Sequence, residues 1–106
     1  MNDFGLHPEA YEDLEKIWDH IAQNASSFTA IKVNNTILDA ITALVRMPHQ
    51  GHKRPDLTSR PLRFITVYDY LIAYAPDESP LWVIAVLHGK RSPQLIASLI
   101  EDRSAA

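Results

Sequence analysis

Cysteine is absent from the 106 residues, which excludes disulfides and thiolate metal sites and leaves the redox compartment unreadable. The five histidines show no ligand spacing, so no metal and no cofactor is expected. No run approaches the roughly 20 apolar residues of a membrane span. The N-terminal stretch MNDFGLHPEA lacks the basic start and apolar core of a signal peptide, so the expectation is a cytoplasmic chain without membrane attachment. An excess of positive charge is also missing. At a net charge of −3, strong direct binding to nucleic acid is not expected, because counterion release rewards clustered Lys and Arg. What is present is a 46% hydrophobic fraction with only 3 Gly and 7 Pro, enough for one globular domain over residues 1–106 with a real core.

The mean charge hides an asymmetry. Residues 1–24 hold six acids (Asp3, Glu9, Glu12, Asp13, Glu15, Asp19) against Lys16, whereas residues 46–63 hold five cations against Asp56. Two solvated surfaces would account for this, as would an acidic and a basic face serving different contacts. The most apolar run, LWVIAVLHGKR from Leu81 to Arg91, reads as a strand buried on both faces. Apolar side chains fall at odd and even positions alike, and Val83, Ile84 and Val86 are β-branched. It ends in His88, Lys90 and Arg91, so a rigid central strand presents these polar groups.

Upstream, Phe4 and Leu6 alternate in a short edge strand over residues 3–7. Pro8 suits a first helical position, with Glu9, Glu12 and Asp13 near the positive helix end. Ala10, Leu14, Ile17, Trp18 and Ile21 then share one side of a helix that stops near Asn24. Ser26 or Ser27 caps a second helix, whose stripe is Ile31, Ile37, Leu38, Ile41, Leu44 and Val45, with Asn34 within it. The short link makes the two an antiparallel hairpin. Pro48 ends the second helix and Gly51 supplies a turn that other residues resist.

A loop over residues 47–61 carries His52, Lys53, Arg54 and Arg60, and its length marks it as a binding element. Two strands follow over residues 62–75 with Tyr68 and Asp69 at their turn, then Pro76 to Pro80 lead into the long apolar strand. Ser92 and Pro93 start a short terminal helix with the stripe Leu95, Ile96, Leu99 and Ile100, an apolar surface that the body of the domain or a partner must cover. The order β-α-α-β-β-β with a short C-terminal helix gives an α+β two-layer sandwich, the hairpin lying on a small, mainly antiparallel sheet.

In that order and spacing, the pieces HPEAYEDLEKIWDHIA, AITALVRMPHQG, LRFITVYDYLIAYAP and VIAVLHGKRSP resemble the ParE/RelE superfamily of toxins from bacterial type II toxin–antitoxin systems. The proline and glycine after the second helix, the arginine-led strand followed by tyrosines, and the His-Gly-x-Arg ending are most similar to the ParE branch. The resemblance implies a plasmid-stabilisation toxin that blocks DNA gyrase by binding and is neutralised in a hetero-oligomeric complex by a cognate ParD-like antitoxin. Lys53, Arg54, Arg63, His88, Lys90 and Arg91 are then the target-binding candidates, and Leu95, Ile96, Leu99 and Ile100 the antitoxin contacts. The antitoxin would lay an amphipathic segment along the sheet and helical hairpin.

The RelE branch cuts messenger RNA on the ribosome. Such cleavage needs a base for the 2′-hydroxyl, cations for the phosphate and an acid for the leaving oxygen. Arg63, His88 and Arg91 are the candidates for that chemistry, with charge from Lys53 and Arg54, but no terminal tyrosine or other clear acid follows His88. A third alternative is an antitoxin-binding module without toxicity. These residues also have structural explanations: surface ion pairs of Arg63 and Arg91 with Asp69, Asp56 or a terminal acid, a backbone carbonyl satisfied by His88 at the end of its strand, half-buried sheet positions for Tyr70 and Tyr74, and a core position at the hairpin for Trp18.

Overall fold

A computed structural model describes residues 4–104. Its elements are β1 (Phe4–Leu6), α1 (Pro8–Asn24), α2 (Ser27–Arg46), a 3-10 turn (Pro48–Gln50), β2 (Arg63–Val67), β3 (Tyr70–Ala75), β4 (Leu81–His88) and α3 (Pro93–Ser104). This is the α+β order predicted from the sequence. Asp3, placed in the first strand by the alternation, lies outside the described residues.

The helix ends follow local chemistry. His7 caps α1 by accepting the Glu9 N–H at Nδ1 (3.1 Å), and Pro8 takes the first turn. Ser26 Oγ accepts the Thr29 N–H at 3.0 Å and caps α2, satisfying a donor that the first helical turn leaves without an intrahelical partner. Only Ala25 and Ser26 separate the helices, so they fold back as a hairpin.

The sheet runs β1-β4-β3-β2, with β1 parallel to β4 and the remaining pairs antiparallel. The long apolar strand is therefore central. Leu14 of α1 and Ile37, Ile41 and Leu44 of α2 pack on one face against Ile72, Tyr74, Leu81, Val83 and Val86. The other face is covered too: Ile96 and Ile100 of α3, with Leu57 and Leu62 of the loop, lie over Phe64, Leu71, Ile84, Ala85 and Leu87. A register shift opposite Ala73 and Tyr74 explains the missing alternation in β4. The extra residue sends Ile84 and Ala85 to one face in succession and returns Val86 to the hairpin side.

The partners of β1 end at Val83, so from there β4 is an edge with unpaired backbone groups. Two side chains take over from the missing strand. Asp13 of α1 accepts the Val86 N–H at Oδ2 (3.0 Å), and Arg103 of α3 donates to the Ile84 carbonyl at 3.3 Å. The two join through Nη1 to Oδ2 (2.5 Å) and Nη2 to Oδ1 (3.0 Å), at 8% and 6% exposure. Glu9 adds a carboxylate oxygen 3.3 Å from Arg103 Nε.

Gly51 corrects its predicted role. Its φ of −69° and ψ of 171° are open to any residue. Glycine is needed because a Cβ there would stand 2.5 Å from the Tyr74 hydroxyl oxygen and 2.9 Å from the Phe64 carbonyl oxygen.

Candidate functional site

The polar end of β4 is tied on three sides. The Gly89 N–H donates to the Asp69 carbonyl at 2.8 Å, joining it to the β2–β3 turn, where Tyr68 adopts a left-handed φ of 54°. The Lys90 N–H donates to His88 Nδ1 at 3.2 Å, which leaves the ring proton on Nε2. Ser92 caps α3 by accepting the Leu95 N–H at 3.1 Å. His88 thus stands half-buried with its ring edge-on to Tyr70 at 5.8 Å, while Lys90 and Arg91 are exposed on a braced turn.

The loop contributes a third cation here. Arg54, Lys90 and Arg91 line one cleft of about 260 Å³ with Thr66, Tyr68 and Asp69. Arg54 is oriented by Asp56 through Nε (2.9 Å) and Nη2 (2.8 Å). That hydrogen-bonded guanidinium holds the Asp56 carboxyl below its ordinary range, and the carboxylate raises Arg54 in turn.

Arg63 and Lys53 lie elsewhere, in a smaller cleft with His49 and Asp77. Arg63 is half-buried and donates from Nη1 to the Gly51 carbonyl at 2.8 Å. It pairs with Tyr74, which pairs with Val83. His88 stands five positions further along β4, roughly 16 Å at the usual rise per residue, and two strands over. The sheet therefore holds Arg63 apart from His88 and Arg91, which line a common recess.

Of the apolar candidates on α3, Ile96 and Ile100 are covered by the chain's own sheet, at 3% and 1% exposure, whereas Leu95 is 46% exposed and Leu99 half-buried. Asp13 and Arg103 were not among the sequence candidates. Their signal is periodicity: Asp13 is three residues after Ala10 and four before Ile17, and Arg103 three after Ile100, so each falls on an apolar helical face. Tyr74 was expected half-buried and is fully buried. Its hydroxyl donates to the Pro48 carbonyl at 2.7 Å and accepts the Gly51 N–H at 2.9 Å, fastening the start of the loop. Trp18 is half-buried rather than enclosed.

The model of the ParE toxin of the type II toxin–antitoxin system parDE matches residues 5–93. The chain belongs to the ParE toxin family. It is accordingly a toxin of a type II toxin–antitoxin system. The match stops where α3 begins, so the Arg103 end of the buried ion pair lies beyond it. Among solved structures, the chromosomal ParDE system from P. aeruginosa is similar with a TM-score of 0.68 at 20% identity, covering 83% of this chain and 96% of that one. A search of curated proteins finds no match. Among the described residues of this ParE-type chain, no helix is long and apolar enough to cross a membrane, and no group of three or more His, Asp or Glu could hold a metal.

Burial raises the Tyr74 hydroxyl above its ordinary value of 10.0, against the smaller opposing pull of the Gly51 N–H and Arg63. Tyr70 is raised by burial and then by Asp69. A raised folded-state value means that the stabilising contribution is complete below about pH 10 and is lost as pH rises through the higher folded value. The melting temperature is therefore expected to fall above about pH 10, and Tyr74→Phe should flatten that alkaline limb in a thermal-melt series. An unchanged limb would show that the hydroxyl is solvated.

Proposed function

We propose that the chain acts in the cytoplasm by binding DNA gyrase and blocking it, and that a ParD-like antitoxin neutralises it. The observation that carries this reading is the separation of Arg63 from His88 and Arg91. RNA cleavage needs its base, phosphate cations and acid around one phosphate. Here Arg63 is across the sheet and held by the Gly51 carbonyl. What converges is a braced edge of cations, half-buried Arg54 with exposed Lys90 and Arg91, beside Tyr68. Rigid presentation of a few Arg and Tyr side chains suits recognition of a protein surface. On the antitoxin side, Leu95 with the exposed part of Leu99 is the portion of α3 offered to a partner segment.

Inducing the chain alone in bacteria, with gyrase supercoiling and message cleavage followed in parallel, tests this. Lost supercoiling with intact messages is the expected result; cleaved messages would reverse it, and no growth effect would favour a module without toxicity. Arg91→Ala removes one charge-assisted contact, so target binding should weaken about ten- to a hundredfold. Antitoxin affinity, measured by calorimetry, should stay within about twofold. Toxicity that persists in this variant would move the target surface away from the β4 end.

A further inference from the structure

A second recess, of about 250 Å³, opens between α1 and the end of β4. Lys16 and His20 reach it from α1, Tyr70 and His88 from the sheet, and Arg91 from the turn, while Asp13 lies at its wall. Three features give it a preference for anions. Among the described residues, neither Lys16 nor Arg91 forms an ion pair with a carboxylate within 4 Å. The one carboxylate at the wall is already neutralised: Asp13 Oδ1 accepts from Arg103, and Oδ2 accepts from Arg103 and from the Val86 N–H. Both imidazoles are held with Nδ1 as the acceptor, His88 by the Lys90 N–H at 3.2 Å and His20 by the Asn24 side-chain amide at 3.3 Å. That leaves Nε2–H as the remaining donor on each ring even when the ring is neutral.

We propose that this recess binds a phosphate group, held by Lys16, His20, His88 and Arg91. Four donor-bearing side chains, two of them full cations, suit the higher charge and the several strong acceptor oxygens of a phosphate. The donors come from α1, from β4 and from the turn that α3 caps, so the site exists only in the folded chain. The site does not depend on the target proposed above. It is read by anion binding to the chain alone, and Lys16 and His20 have no part in that proposal.

The test is a titration of the full chain with inorganic phosphate at constant ionic strength, followed by amide proton–nitrogen spectra. Signals of residues 16–20 and 88–91 should move along one saturating curve. Lys16→Glu and His20→Glu, both at exposed positions of α1, should each weaken binding by about tenfold or more while leaving the melting temperature unchanged. A second arm uses a short single-stranded oligonucleotide. The same signals moving at lower concentration would assign the phosphate to a nucleic-acid backbone, and a response to inorganic phosphate alone would assign it to a free phosphate. Equal shifts with sodium chloride, or an unaltered curve for Lys16→Glu in a folded protein, would overturn the inference.

Discussion

Arg103→Ala is expected to cost the fold about 3–5 kcal/mol, the usual penalty for leaving one member of a buried ion pair alone. The Asp13 carboxylate would keep the Val86 N–H but lose both guanidinium bonds, and the Ile84 carbonyl would lose its donor. The pair also does what a fourth residue of β1 would do, satisfying the β4 edge beyond Val83. For that reason a matched apolar replacement of both residues, often harmless at other buried pairs, should remain destabilising here. Asp13→Asn should be milder, because an amide oxygen still accepts from Val86 and Glu9 still faces Arg103. Urea unfolding of the single and double variants measures each cost and their coupling. A loss for Arg103→Ala under about 1 kcal/mol would mean that the ion pair is effectively solvated.

Gly51→Ala should destabilise by about 2–4 kcal/mol, combining the strain of overpacking with the loss of hydrogen bonds. The new methyl would overlap the Tyr74 hydroxyl at 2.5 Å and the Phe64 carbonyl oxygen at 2.9 Å. Tyr74 is fully buried and Phe64 is in the sheet, so neither yields readily. Relief comes by moving the loop, which breaks the bonds of Tyr74 to Pro48 and Gly51 and the bond of Arg63 to Gly51. Tyr74→Phe removes the worst overlap, so the double variant should lose less than the sum of the single losses. Strict additivity in urea unfolding would show that the two residues do not meet. Because the same loop carries Arg54 to the β4 end, the Gly51 variant should also weaken target binding.

How far the sequence could be read depended on the range of the interaction. Ser26 caps α2 through a neighbour three residues away and was legible, whereas the His7 cap of α1 was not read; the period of α1 and α2 states which face is buried, except at Ile31 in the first turns of α2, which is exposed. The two-sided burial of β4 is visible because every position from Leu81 to Leu87 is apolar. Gly51 shows the opposite case. A glycine after a proline reads as a turn, but its cause is a tyrosine 23 residues away. The candidate site was legible as residue types and scattered as geometry. Arg54, Lys90 and Arg91 share a cleft, while Arg63 and Lys53 belong to another, since strand pairing decides which ends of a sheet coincide.

The sequence alone determined the element order, the serine caps and the central strand, all set by neighbours within a turn or by a period along one strand. Only the tertiary structure decided that α3 covers the second face of the sheet, that Asp13 and Arg103 meet across 90 residues of chain, and that the cations divide between separate clefts. Those outcomes rest on long-range burial and on the backbone groups that a short β1 leaves open, which no local pattern encodes.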